Sequence, residues 1–369
     1  MSTVALPPTP KSPSVGARRK GPKQLPKLPL SAFTPPNTGT SEQFPLAPSP
    51  SSLQPETIID GHVIAPNGNL SSWKEQTGQT LGGRIRGVVL SLHGVQPEEV
   101  EKVVQDVQSS ASSSTTPILA IAVPFVLEDG APTSPPAYLT ADASAKPKIV
   151  LSTTFKESSP AAIEALAWAL TQGFTVNIDV QSDLQQESGW ESLETILTKA
   201  TESPEAKGKI VLSNILPPPD SLALPIVKLL THQLYHSYQA RIASLSLFSN
   251  LFVSFLPPAW GAPTPPTPAP SGVDTEESRE KTARLESKEA REWKRRIKMY
   301  IGPTVEAFGF SRIFFGSSPS APLTATTPAS RAGDWFELAR ESFAELGVEQ
   351  DAIDAVFAEN AKQIYGGSS

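Results

Sequence analysis

The chain has 369 residues, a formal net charge of −6 and no cysteine, and 38% of its residues are hydrophobic. That length suffices for one large α/β barrel or for two ordinary domains. The lack of cysteine excludes disulfides, thiolate nucleophiles and thiolate metal sites, and it favours a cytoplasmic location. The sequence has no apolar run long enough for a signal peptide or a membrane span, so we expect no membrane partner.

The first 53 residues differ in composition from the rest of the chain. They are rich in Pro, Ser and Thr and poor in large apolar residues, which predicts a disordered tail ahead of a folded region at 54–369. The tail carries a charge of +5, which leaves about −11 for the folded region and argues against a nucleic-acid-binding fold. In the tail, Lys23, Pro26 and Pro29 have the basic-x-x-Pro-x-x-Pro spacing that predicts an SH3-like partner.

Beyond the tail, short β-branched runs alternate with helical patterns. Most of the runs are continuously apolar, as expected of parallel strands that are covered on both faces. Eight strands are predicted, at 57–64, 86–92, 118–126, 148–152, 175–180, 209–213, 247–255 and 312–316. The alternation predicts a (β/α)8 TIM barrel, with a doubly wound open sheet as the alternative, and a proline-rich insertion at 257–275.

Helices are predicted between these strands and after the last one. The segment 221–240 is predicted as one helix, and a charged helix is predicted from about 276 to 308. Near the C-terminal end, Asp334 is predicted to cap a helix, with Glu337 at the spacing of a capping box. Residues 81–84, Leu-Gly-Gly-Arg, are interpreted as a turn before the second strand.

Three motifs carry a resemblance to a known family. The first strand contains Asp60-Gly61-His62-Val63-Ile64, the sixth ends in Ser213-Asn214-Ile215-Leu216-Pro217, and the last runs Arg312-Ile313-Phe314-Phe315-Gly316-Ser317-Ser318-Pro319. Together with the ending Asn360-Ala361-Lys362-Gln363-Ile364-Tyr365-Gly366, this order resembles the amidohydrolase-related barrels, in particular their lactonase-like branch. The resemblance implies a TIM-barrel hydrolase whose site lies at the C-terminal ends of the strands.

The chain departs from the family pattern at three polar positions. Ile64 stands where the family has the second histidine of its first strand, Asn214 where it has a histidine, and Ser318 where it has an aspartate. None of the three can act as a base near pH 7, and an isoleucine cannot bind a metal. The resemblance therefore implies a catalytically degenerate barrel, a pseudoenzyme that retains a ligand pocket and has no metal or cofactor. Asn214, Ser317 and Ser318 are its predicted substrate-binding groups.

The remaining candidate catalytic residues are His62, His93 and Asp179. Each lies near the C-terminal end of a predicted strand, so the three could meet at the barrel mouth and support a metal-independent lactone or ester hydrolase. The alternative is that His62 is a hydrogen-bonded remnant and that His93 belongs to a loop. A third hypothesis makes the barrel a non-enzymatic scaffold and the proline-rich tail its interaction module.

Two further histidines, His232 and His236, have the i, i+4 spacing of a metal-binding pair. They fall on a predicted outer helix far from the barrel mouth, and the residue after the first is Gln233 instead of the glutamate that metalloproteases require. We therefore expect no metal at this pair.

Overall fold

The computed structural model describes residues 52–111, 114–140, 147–267, 287–320 and 330–366. The predicted disordered tail, except for its last two residues, lies outside the described residues, and so does the predicted insertion from residue 268 onward. In the described ranges, no helix is long and apolar enough to cross a membrane.

Eight strands form one sheet in which each strand is parallel to the next and the spatial order follows the chain. This order confirms the TIM barrel and excludes the open doubly wound sheet, in which the strand order would reverse. The strands are β1 Ile58–Ile64, β2 Ile85–Ser91, β3 Ile118–Pro124, β4 Lys148–Phe155, β5 Val176–Val180, β6 Ile210–Leu216, β7 Leu251–Phe255 and β8 Ile313–Phe315.

Helices follow the strands, and all but the last lie on the outside of the barrel. They are α1 Ser71–Arg84, α2 Pro97–Ser110, α3 Ala137–Thr140, α4 Pro160–Thr171, α5 Glu187–Ala200, α6 Ile226–Leu229, α7 Gln233–Leu245, α8 Lys288–Phe308, α9 Ala332–Ala344, α10 Gln350–Asp354 and α11 Asn360–Tyr365. A π-helical segment, Ala355–Glu359, joins α10 to α11.

Three local predictions are wrong. The predicted helix at 221–240 is two helices, because the side chain of His232 accepts a hydrogen bond from the backbone N–H of Leu234 and so starts α7 anew. Residues 81–84 belong to α1 instead of forming a turn. The capping box does not form, because α9 begins at Ala332 and the carboxylate of Asp334 accepts from the backbone N–H of Thr267.

The hydrophobic core has two parts. The larger part lies between the strands and the surrounding helices, and the smaller part fills the barrel interior. The interior part consists of Ile59, Val89, Ala120, Ala122, Val150, Val211, Phe252 and Phe314 from the strands, and Ala361, Ile364 and Tyr365 from α11.

Helix α11 closes the N-terminal end of the barrel. The amide of Asn360 donates to the backbone oxygen of Ile313 at the start of β8 (2.7 Å). Inside the barrel, the hydroxyl of Tyr365 donates to the side-chain oxygen of Asn177 (2.9 Å), and its ring packs edge-on against Phe314 at 5.6 Å. With this end filled, the C-terminal ends of the strands form the open end, which we call the mouth.

Candidate functional site

Polar side chains lie at the mouth, at the C-terminal ends of the strands. Val89, Val150 and Val211 face the barrel interior, and side chains alternate along a strand, so the residue two positions later also faces inward, closer to the mouth. These inward positions are occupied by Ser91 on β2, Ser152 on β4, Asp179 on β5, Ser213 on β6 and Ser254 on β7. The change from aliphatic to polar residues along each strand marks the mouth as the polar end of the interior.

A cleft of about 1000 Å³, open to solvent, lies on one side of the mouth. We call it the mouth cleft. It is bounded by the ends of β2 to β5 and by the loops that follow them. Its lining is His93, Gly94, Val95, Pro124, Phe125, Val126, Glu128, Ser152, Thr153, Thr154, Lys156 and Asp179. The cleft therefore combines an apolar wall from the loop after β3 with hydroxyl and charged groups from β4, β5 and the loop after β2.

Asp179 is the most buried ionisable group of the mouth cleft. Its Oδ2 accepts a hydrogen bond from Nε2 of Gln181 (2.7 Å), whereas its Oδ1 is buried without a hydrogen-bond partner. Burial raises the pKa of Asp179, and the Ser320 hydroxyl, Gln181 and the charge of His93 partly offset that rise. His93 is thus close enough to interact electrostatically with Asp179.

Three buried polar atoms near the mouth have no hydrogen-bond partner among the described residues: Oγ of Ser91, Oγ1 of Thr153 and Oδ1 of Asp179. Buried polar atoms are nearly always satisfied in folded proteins, by protein, water or ligand. Thr153 and Asp179 line the mouth cleft. The two atoms themselves are inaccessible to solvent, so a ligand in the cleft would reach them only after a local rearrangement.

His62 is buried beside the mouth but does not line the cleft. Its Nε2 lies 3.0 Å from the backbone oxygen of Pro319, so Nε2 carries the proton and donates it to that carbonyl. Burial lowers the pKa of His62 to about 4; the bond to Pro319 opposes this change, and the charge of His93 adds to it. The ring is therefore neutral at pH 7 and its N–H is used within the protein.

Ser317 and Ser318 join the end of β8 to β1. The backbone N–H of Ser318 donates to the backbone oxygen of His62 (3.0 Å), and the Ser318 hydroxyl accepts from the N–H of Ile64 (3.1 Å). The hydroxyl of Ser317 accepts from Nε1 of Trp73 on α1 (2.9 Å). We call this junction, between residues 60–64 and 316–319, the seam. These hydrogen bonds close the barrel between β8 and β1, the two ends of the strand order.

Asp60 is a seam residue that the sequence-based choice of site residues missed. Its side chain is fully buried; Oδ1 accepts from the N–H groups of Ser317 (2.8 Å) and His62 (3.2 Å), and Oδ2 has no partner. Burial raises its pKa to about 6, and the hydrogen bonds from Ser317 and His62 limit the rise. The signal in the sequence was an acidic residue within the mostly apolar strand at 57–64.

The seam also explains a glycine of the last motif. A Cβ added to Gly316 would lie 2.6 Å from Cδ2 of Leu256 and 2.9 Å from Cβ of His62, so no larger residue fits between β1 and β7 at this point. The Gly-Ser-Ser sequence is thus a packing and hydrogen-bonding element of the seam.

Asn214 joins β6 to β5. Its backbone φ of 64° lies in the left-handed region that asparagine tolerates, and its Nδ2 donates to the backbone oxygen of Val180 (2.8 Å). The hydroxyl of neighbouring Ser213 donates to the backbone oxygen of Ile178 (3.3 Å). Both groups hold strand ends together.

Of the six predicted site residues, the structure brings His93 and Asp179 together in the mouth cleft. The other four, His62, Asn214, Ser317 and Ser318, have side chains that bond to backbone atoms or to Trp73. Among the described residues, no three His, Cys, Asp or Glu side chains are grouped so as to hold a metal ion. At the first strand, Ile64 has no donor atom for a metal, and Nε2 of His62 donates to the backbone oxygen of Pro319.

Comparisons with known proteins were made at the level of families, curated sequences and solved structures. No family model matches the chain, and no curated protein matches it. Among solved structures, an amidohydrolase from Burkholderia multivorans with bound zinc is 11% identical, with a TM-score of 0.48, over 84% of this chain and 99% of that one. Amidohydrolase 2 from Bifidobacterium longum subsp. infantis is 11% identical, with a TM-score of 0.46, over 84% of this chain and 98% of that one.

A fungal protein, the IDCase of Metarhizium anisopliae in its apo form, is 13% identical, with a TM-score of 0.42, over 79% of this chain and 76% of that one. The barrel itself rests on the strand order of this chain.

Proposed function

We propose that this amidohydrolase-like barrel binds a small polar molecule in the mouth cleft and has lost the metal-dependent reaction that the family resemblance implies. The observation that carries the proposal is the open mouth cleft itself, whose lining combines Asp179, Lys156 and His93 with the hydroxyl residues Ser152, Thr153 and Thr154. By contrast, the side chains of Asn214, Ser317 and Ser318 are hydrogen-bonded within the protein. The residues proposed to bind a ligand and the residues that hold the barrel together thus lie at different strand ends.

The lining suggests the chemistry of the ligand. Oδ1 of Asp179 accepts hydrogen bonds, and the hydroxyl of Thr153 can donate or accept, so the cleft suits a molecule with hydroxyl groups. Lys156 is an exposed cation at the edge, and half-buried His93 offers a ring nitrogen. A small hydroxy acid would place its carboxylate near Lys156 and a hydroxyl against Asp179.

The test is a calorimetric titration of the purified protein with a panel of small hydroxy acids: glycerate, malate, tartrate and gluconate. We expect saturable binding of at least one, weakened about 10- to 100-fold in Asp179→Asn, because one charge-assisted hydrogen bond is lost. Asp183→Asn is the matched control: this exposed acid lies in the following loop, outside the mouth cleft, and its replacement should leave affinity unchanged. Absence of binding across the panel, or equal losses in both variants, would contradict the proposal.

One observation favours a second function, a metal-independent lactone or ester hydrolase. A carboxylate whose pKa is raised by burial is a stronger base than a solvated one, and Asp179 lies near His93 in an open cleft. In this alternative, Asp179 would take a proton from the water that attacks the substrate carbonyl. Hydrolysis of dihydrocoumarin in the presence of EDTA, abolished in Asp179→Asn and retained in Asp183→Asn, would support it. No turnover by the unmodified protein across lactones and esters would exclude it.

A further inference from the structure

A second cavity, partly open and of about 680 Å³ when the space open to solvent is included, lies beside the barrel between the loops after β5 and β6 and helices α5, α7 and α8. We call it the side cavity. No residue lines both the side cavity and the mouth cleft. Its lining is Ser182, Asp183, Leu184, Gln185, Trp190, Pro218, Pro219, Asp220, Leu224, Leu229, His232, Leu234, Tyr238 and Tyr300.

The three aromatic residues of the side cavity have their polar atoms bonded to the protein. Nε1 of Trp190 donates to the backbone oxygen of Leu184 (2.9 Å). The hydroxyl of Tyr238 lies 2.8 Å from Oγ1 of Thr304, and that of Tyr300 donates to Oδ2 of Asp220 (2.8 Å). The rings also pack edge-on, Trp190 against Tyr238 at 6.4 Å and Tyr238 against Tyr300 at 5.1 Å. The three rings therefore form a rigid, apolar wall of the cavity.

The one charged group in the deeper lining is already neutralised. Oδ2 of Asp220 is 2.6 Å from Nη1 of Arg296, whose side chain is fully buried. Oδ1 of Asp220 accepts from the N–H of Ser221 (2.7 Å). At the edge, the exposed carboxylate of Asp183 accepts from the N–H of Gln185 (3.0 Å). The wall thus offers no free positive charge to an anionic ligand, and neutral Leu224, Leu229 and Leu234 complete it.

Two polar groups of the side cavity have spare hydrogen-bonding capacity. Oγ of Ser182 is inaccessible to solvent and has no hydrogen-bond partner among the described residues, so a ligand reaches it only when the side chain rotates. His232 uses Nδ1 to accept from the N–H of Leu234 (3.3 Å), so the neutral ring carries its proton on Nε2, a second nitrogen that can donate. A ligand for this cavity needs an oxygen that can accept from these groups.

We propose that the side cavity binds a neutral aromatic molecule that carries one hydroxyl or carbonyl group. Such a molecule places its ring against Trp190, Tyr238 and the leucines, and its oxygen beside Ser182 or His232. Ligand sites of this type combine a mostly apolar wall with a few polar groups that fix orientation.

The experiment uses p-cresol, a phenol with one methyl group, as the probe and ligand-observed NMR as the measurement. The full chain should show saturable binding with a Kd in the millimolar range or tighter, as expected for a ligand of this size. Leu234→Trp fills the cavity from its edge and should abolish binding. Leu230→Trp, an equally large change at a neighbouring exposed position outside the lining, is the control and should bind as the unmodified protein does.

A third variant tests the polar contact. Ser182→Ala is expected to weaken binding about 3- to 10-fold, the effect of one neutral hydrogen bond. Asp179→Asn, in the mouth cleft, should leave p-cresol binding unchanged, which separates this proposal from the proposed function. Absence of saturable binding up to the solubility of p-cresol, or equal binding by the two tryptophan variants, would overturn the proposal. Circular dichroism of each variant distinguishes loss of binding from loss of fold.

Discussion

The buried carboxyl of Asp60 should make the stability of the protein depend on pH in a direction opposite to that of most native carboxylates. Burial without a salt bridge raises its pKa from the ordinary 3.8 to about 6. A difference of about two in pKa corresponds to about 3 kcal/mol in the free energy of unfolding. Because the folded state binds the proton more tightly, this contribution is fully present below pH 3.8 and is lost as pH rises through about 6.

Asp60→Asn removes the titrating group and keeps an oxygen that can accept from the N–H groups of Ser317 and His62. The amide nitrogen takes the place of Oδ2, which has no partner among the described residues, so its N–H groups find no acceptor. The substitution therefore lowers the unfolding free energy by an amount that does not change with pH. The informative quantity is therefore the difference in unfolding free energy between variant and unmodified protein, measured by urea denaturation from pH 4 to pH 7.5. We expect this difference to change by about 3 kcal/mol in favour of the variant as pH rises.

Asp106→Asn serves as the control, since Asp106 is exposed on α2, and its curve should run parallel to that of the unmodified protein. A difference curve for Asp60→Asn that is flat between pH 4 and 7.5 would refute the reasoning. A slope of opposite sign would show that the carboxylate is stabilised by a positive charge in the folded state.

Three further outcomes follow from the seam and the tail. His62→Gln should gain about 3 kcal/mol in unfolding free energy relative to the unmodified protein as pH falls from 7 to 4. Burial holds the His62 pKa near 4 in the folded state, so protonation of the ring favours the unfolded state of the unmodified protein at acidic pH. A difference in unfolding free energy that stays constant in urea denaturation would contradict this. Ser318→Ala should lower the unfolding free energy by about 1–3 kcal/mol, since the N–H of Ile64 loses its acceptor, whereas the exposed Ser311→Ala should not; equal midpoints in urea would contradict the assigned role. Deleting residues 1–51, which leaves the buried Leu53 in place, is expected to abolish recovery of an SH3-domain partner in a pull-down, and undiminished recovery would exclude the tail as the binding segment.

The barrel was predictable because its strands are continuous apolar runs, a pattern that needs little tertiary information. The seventh strand was predicted from residue 247 but begins at Leu251, since Leu247 belongs to an exposed turn that hydrophobicity alone does not reveal. Helix α1 was missed because its buried residues, Trp73, Thr77 and Leu81, are few and a glycine with φ of 64°, Gly78, interrupts it. The hydrophobic pattern of the sequence thus predicted most strands and helices, whereas the residues at which they begin and end depend on packing.

The candidate site was less predictable from sequence than the fold. The pattern identified His93 and Asp179 as residues near strand ends, and the structure brings them together. It could not show that the hydroxyl of Ser318 faces the N–H of Ile64, because that contact joins residues 254 positions apart across the seam. The position of a residue in a motif predicts the strand end at which its side chain lies. The hydrogen bonds that the side chain makes depend on residues distant in sequence, which come together only in the closed barrel.

The helix that fills the lower end of the barrel has a consequence for synthesis. Residues 360–365 are translated after all eight strands, so a nascent chain with every strand exposed from the ribosome still lacks the side chains of Ile364 and Tyr365 from its interior. Until they arrive, Phe314 and Asn177 border an unfilled hole that water can enter. The interior therefore cannot be filled before α11 has been synthesised, and a truncation that removes α11 would leave the barrel open at this end.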